Sequence, residues 1–241
     1  MEVDSILFLV TWLNDQIKRA DKGGCCMSPE YVMQGKVSLL QQEWSQEARQ
    51  WGASDQECLA VFNELLEAYG AENRYYHGLT HIQYMLDSGG QEGKSIQDPQ
   101  AFYFATWFHD AVQIQGKDSE LLSSNLAKDA LTQLGAPFVL IQKVIELILA
   151  TKCHTTKDKG DTALFLDVDL GILAAKADVY KTYADNCRKE YTIPNFVYNI
   201  GRKKFLRSLL KRDFIFNTAL FQKTKEHSAR VNIEWELRGF I

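Results

Sequence analysis

Apolar residues recur along this chain at intervals of three and four, the spacing that lines one face of an α-helix. The pattern predicts helices over about 3–20, 36–50, 55–69, 79–88, 99–113, 118–134, 177–190, 195–211 and 214–238. Another follows Pro137, where apolar residues at 140, 141, 144, 145, 148 and 149 keep the same period. No alternating run competes with these as a β-strand, so the fold class is all-α. Four prolines punctuate the chain without interrupting a periodic stretch. Asp98 reads as an N-cap with Pro99 in the first helical position, and Gly135 closes one helix before Pro137 opens the next. The stretch "DKGGCCMSP", 21–29, reads as a flexible connection, which divides the chain into an N-terminal helix with its connection, 1–34, and a main body, 35–241. "SGGQEGKS", 88–95, and "KCHTTKDKGD", 152–161, read as polar surface loops.

Composition narrows the choice of partner. The 241 residues are 46% hydrophobic and 24% charged, enough for a sizeable core. A net charge of −4 gives no electrostatic case for a nucleic-acid polymer, while leaving a small phosphorylated molecule open. Cys25, Cys26, Cys58, Cys153 and Cys187 have neither zinc spacing nor the even count of a secreted disulfide framework, and read as reduced thiols. The sequence predicts no signal peptide and no membrane span, hence a cytoplasmic protein; self-association is left open.

One stretch does not fit a plain helical core. In "AFYFATWFHDAVQ" a charge-free apolar run ends on His109 and Asp110. A carboxylate there is costly unless it lies at an exposed helix end or a cation meets it. Four of the five histidines, His77, His81, His109 and His154, lie in segments that also hold the best-placed acids. On a helix His77 and His81 would share one face. Asp167 and Asp169 interrupt another apolar stretch, "ALFLDVDLGIL", and being two apart on a helix they cannot both face one ion. Taken singly, a histidine in an amphipathic helix is ordinarily a core or surface residue. Taken together, neutral imidazoles and ionised carboxylates are the ligands of a divalent cation, whose charge would offset a buried Asp110.

The order His81, then His109 with Asp110, then Asp169 resembles the H…HD…D signature of the HD superfamily of metal-dependent phosphohydrolases. "RYYHGLTHI", "WFHDAV", "ATKCHT", "FLDVDLGIL", "CRKEY" and "ARVNIEWEL" are more closely similar to its predicted metal-dependent HD phosphohydrolases, over about residues 36–238. The resemblance implies an HD-domain helical bundle with His81, His109, Asp110 and Asp169 as metal ligands. It prefers Asp169 to Asp167, which is left to cap or to support a ligand. "YHGLTH" is also similar to the Y-H-N-x-x-H segment of cyclic-nucleotide phosphodiesterases, which makes His77 the general acid, with Gly78 standing where that segment has Asn. Glu120 matches an N-E segment of the family, with Ser119 in place of the Asn.

The implied reaction is hydrolysis of a phosphate ester of a small nucleotide-like or sugar-phosphate substrate by metal-activated water, with Asp110 or Glu120 positioning the water. The cation would be manganese, iron, nickel, cobalt, zinc or magnesium. Lys152, His154, Arg188 and Arg202 are candidate substrate-binding residues, with Lys203 and Arg230 as further cations. The basic run "GRKKFLRSLLKR", 201–212, also reads as a solvated helix face, and His227 as structural. Two other functions compete: a di-iron HD-type oxygenase, which needs more histidines between the HD pair and the last Asp than His154 alone, and a non-catalytic nucleotide-binding sensor. A D-x-D-x-T phosphatase reading of "LFLDVDLGIL" requires a strand there and is rejected.

Overall fold

The computed structural model describes residues 29–92 and 95–239. The helix expected over 3–20 and the connection at 21–28 lie outside the described residues, as do Cys25 and Cys26. The described residues form eleven α-helices and no strand. In chain order they are α1 (Pro29–Ala48), α2 (Asp55–Tyr69), α3 (Leu79–Gln91), α4 (Pro99–Phe108), α5 (Ser119–Gln133), α6 (Phe138–Ala150), α7 (Asp161–Asp169), α8 (Ala177–Lys189), α9 (Asn195–Leu210), α10 (Ala219–Thr224) and α11 (Glu226–Arg238). Short 3-10 segments follow α1 at Arg49–Trp51 and α7 at Leu170–Ala174. No helix among the described residues is long and apolar enough to cross a membrane. Cys58, Cys153 and Cys187 are free thiols.

The charge-free run is explained by its position. Helix α4 packs against α3, α5 and α6, and seven of its ten residues are buried. A helix covered on several sides has no polar face to display. Around it, Trp44 of α1 is fully buried and meets the rings of Phe104 and Trp107 edge-on, at 5.3 and 5.8 Å. Burial of one such side chain contributes about 1.5–3 kcal/mol. Helix α3 approaches α4 closely enough that a Cβ on Gly89 would lie 2.7 Å from the Phe102 ring. This corrects the loop expected at 88–95, because residues 88–91 belong to α3.

Capping sets the helix ends as the sequence predicts in several places. Asp98 accepts the Ala101 N–H and Pro99 opens α4. Gly135, at φ +79°, takes the left-handed conformation that closes α5. Beyond the predicted caps, Ser54 and Glu57 form a reciprocal capping box on α2. Other boundaries differ from expectation. Helix α1 begins at Pro29 rather than 36 and so runs across the division expected at 34. Helix α4 stops at Phe108 rather than near 113, so His109 and Asp110 stand at its end. The expected helix 214–238 begins only at Ala219, because Asp167 accepts the backbone N–H groups of Asn217 and Thr218 and fixes an extended entry to α10, and it is divided into two helices at Lys225.

Candidate metal centre

Each candidate ligand is placed by a helix end. His81 lies in the first turn of α3, His109 caps the C-terminus of α4, Asp110 is in the turn beyond it, and Asp169 ends α7. Helix α3 packs on both α4 and α7, which brings the three ends together. Nε2 of His81 lies 3.2 Å from Nε2 of His109. Asp110 Oδ2 is 3.2 Å from the His109 nitrogen and 3.9 Å from that of His81. Asp169 Oδ1 is 3.3 Å from the His81 nitrogen and 3.8 Å from that of His109. Ligand atoms of His81, His109 and Asp110 all lie within 4.8 Å of one another.

These spacings fit a cation. Ligands held about 2.0–2.2 Å from one ion stand about 2.8–3.6 Å apart when their directions are perpendicular or tetrahedral, the range of the three shorter contacts at 3.2–3.3 Å. The tautomer of His109 fits as well: its Nδ1 donates to the Thr106 carbonyl at 2.9 Å, which leaves the Nε2 lone pair facing the centre. Two imidazole nitrogens at 3.2 Å need a positive charge or a proton between them. Burial disfavours an imidazolium at His109, yet Asp110 and Asp169 outweigh it and push its pKa up to about 9. Burial also opposes ionisation of Asp110 and Asp169, and the surrounding imidazoles outweigh that, holding both carboxyls below the usual range. His81 is shifted down because its burial exceeds the help it receives from Asp169. In the metal-free chain the His109 proton therefore supplies the positive charge that an ion would otherwise bring.

The ambiguity between the two aspartates resolves into two environments. Asp167 is fully buried and its carboxylate takes four hydrogen bonds from the backbone and side chains of Asn217 and Thr218. Asp169 faces the histidines, and its second oxygen accepts from His154 Nε2 at 2.8 Å. His154 holds a left-handed backbone at φ +49°, unusual for a residue with a side chain. Arg212 secures it by donating to the carbonyls of Cys153 and His154.

His77 is near the cluster by a different route from the one its spacing suggests. It lies in the bend before α3, so it shares no helix face with His81, although the rings are 6.0 Å apart. Its Nδ1 is 2.5 Å from Oε2 of Glu190, whose other oxygen accepts the N–H groups of Tyr76 and His77. Burial disfavours the charged His77 ring, but Asp110 and Glu190 together raise its pKa. Glu190 lies in the segment "CRKEY", where the resemblance implies no role for it. Its one sequence signal is an acid directly after Arg188 and Lys189 at a helix C-terminus, where the dipole disfavours it unless something else holds it. The buried Arg74 is also new: it donates to the carbonyls of His77 and Ala111 and so ties the His77 bend to the turn carrying Asp110.

Asp110 and Asp169 carry the cluster to the floor of a cavity of about 440 Å³, whose lining also includes His77, Glu120, His154 and Arg202, while His81 and His109 lie buried behind them. The other candidate cations are placed elsewhere. Lys152 is paired at the surface with Asp118, 2.5 Å away. Arg188 is engaged by Asn195 and the carbonyls of Tyr191 and Ile193, which shapes the turn between α8 and α9. Arg230 pairs with Glu226 and closes the carbonyls of Leu210, Arg212 and Asp213. None of these three lines the cavity. Lys203 sits half-buried on α9, and His227 is exposed on α11 rather than built into the core. No family model, curated protein or solved structure matches the chain.

Proposed function

We propose that this chain is a metal-dependent phosphohydrolase acting on a small phosphate ester, and that His81, His109, Asp110 and Asp169 hold its divalent cation. The observation that carries the reading is that two buried imidazole nitrogens, 3.2 Å apart, each meet a carboxylate oxygen of Asp110 and one of Asp169 at 3.2–3.9 Å, beside a cavity that both carboxylates line. When bound, a divalent cation supplies a Lewis acid and a water of lowered pKa.

The chain's own groups then divide the remaining work. His77 faces the cavity with a raised pKa, a ring held by Glu190 and its backbone pinned by the same carboxylate. Those are the properties of a general acid that protonates a leaving oxygen. Asp110 and Glu120 reach the cavity from two sides and orient the attacking water through their carboxylates. His154 steadies Asp169 through the bond between them, leaving its role as a substrate contact secondary.

The test is elemental analysis of protein purified without chelator, followed by a phosphoester panel with each added divalent metal and an oxygen-consumption assay with ferrous iron. Stoichiometric metal with turnover of at least one phosphoester supports the reading. Metal with oxygen uptake and no hydrolysis would replace it by an oxygenase, and ligand binding without either by a sensor.

A further inference from the structure

The cavity above the candidate centre is strongly asymmetric. Its floor carries the carboxylates of Asp110 and Asp169, with Glu120 beside them. Among the described residues Arg202 is the only lysine or arginine in its lining, and that charge is already matched. The Arg202 side chain is 9% exposed, donates from Nε and Nη2 to both oxygens of the buried Glu236, and gives Nη1 to the Tyr183 hydroxyl. A divalent ion would offset about the charge of the two aspartates. What remains can receive one phosphate, and each further phosphate would enter a partly enclosed space without a free cation to meet it.

The wall away from the floor is of another kind. Tyr183, Tyr191, Tyr198 and Phe205 line it with Ile193 and Val197. Such a surface recognises a flat ring by its faces. It also has an unspent polar group: Tyr198 is 7% exposed, and its buried hydroxyl has no hydrogen-bond partner. Gln113, also a lining residue, has a buried Oε1 without a partner. Buried polar atoms are nearly always paired, so two lining residues with an unspent polar atom mark the groups that a ligand's own polar edge would engage.

We infer that the cavity is built for a phosphate ester bearing a single phosphate and an uncharged, flat, hydrogen-bonding ring system, and that it discriminates against polyphosphates and against sugar phosphates lacking the ring. This rests on the phosphohydrolase reading for the orientation, phosphate to the floor and ring to the aromatic wall. It narrows the earlier choice between nucleotide-like and sugar-phosphate substrates to the former.

Gly201 offers a clean perturbation. It lies within α9 and lines the cavity, and a Cβ added there meets no atom within 4 Å. Gly201→Leu therefore fills part of the aromatic end without a core clash, and leucine is the better helix former. Binding is measured by calorimetry on the Mn²⁺-loaded full chain. The ligands are ribose 5-phosphate, the four common nucleoside 5′-monophosphates and their triphosphates, each as an analogue in which carbon replaces the scissile bridging oxygen.

At least one nucleoside monophosphate analogue is expected to bind tenfold or more tightly than the ribose analogue and than its own triphosphate. Gly201→Leu is expected to bring that ligand to the ribose level, with ribose binding and Tm preserved. Equal or tighter binding of the ribose or triphosphate analogue, no binding by any, or no effect of Gly201→Leu would overturn the inference. Hydrolysis of the natural esters is scored separately. The expected binding order without turnover removes the hydrolase and leaves the ligand class standing, whereas turnover with the opposite order removes the ligand class alone.

Discussion

His77 Nδ1 and Glu190 Oε2 lie 2.5 Å apart although 113 residues of chain separate them. The same carboxylate pins the backbone at Tyr76 and His77, so ring and main chain are fixed from one point. Glu190→Gln keeps a carbonyl for those N–H groups while removing the negative charge. If His77 is the general acid, kcat should fall by about 10²-fold or more. The sign of the pH effect follows from the raised pKa of His77, to which Glu190 contributes. Without that charge His77 loses its proton at lower pH, so the alkaline limb of the kcat profile should move down. An unmoved limb would remove His77 from the acid role.

Asp110→Ala takes away a ligand while leaving the buried helix before it intact. Elemental analysis should find metal occupancy reduced at least tenfold to a hundredfold, and added Mn²⁺ should no longer raise Tm. A variant that retains both metal and thermal shift would place Asp110 outside the centre.

The two aspartates of α7 should separate by phenotype. Asp167 is buried and fully engaged by Asn217 and Thr218, so Asp167→Ala leaves donors unpaired and should cost about 3 kcal/mol in urea unfolding while metal binding persists in the folded fraction. Asp169→Asn should do the reverse, with lost metal and a smaller change in stability. Metal loss on changing Asp167 with folding intact would exchange their roles.

Metal-free protein should lose stability as pH rises. The His109 pKa of about 9 lies above the ordinary value near 6.5, so the folded state holds this proton more tightly than the unfolded chain. That contribution is complete below about 6.5 and disappears as pH rises through about 9. In chelator, Tm should therefore fall across this interval, and His109→Gln should flatten the fall. With saturating Mn²⁺ the increment in Tm should instead grow with pH, because a proton and the ion compete for one nitrogen.

Helix content was legible because burial on one face repeats with the helical period, as in α2, whose bounds agree with those expected from the sequence at 55–69. The juxtaposition of His81, His109, Asp110 and Asp169 was anticipated from the order of residues that resembles the HD pattern, whereas spacing by itself left their meeting open. The spacing of His77 and His81 would set them on one face only within a helix, and the bend before Leu79 brings their rings together by another route. The partners of Lys152 and Arg188 were not legible, since a cation near a motif carries no mark of the carboxylate or carbonyl that engages it. Glu190, Arg74 and Glu236 stayed hidden for the converse reason. Each acts on a partner far away in the chain, and only folding reveals the pairing.

The meeting of α3, the end of α4 and the end of α7 makes any bound ion a rivet between stretches of chain that are remote in sequence. Loading should then slow exchange of the amide hydrogens around all three helix ends at once, including those of the turn after Phe108 that no ligand atom touches. Occupancy would thus be reported as a mechanical stiffening of the bundle, readable without any substrate.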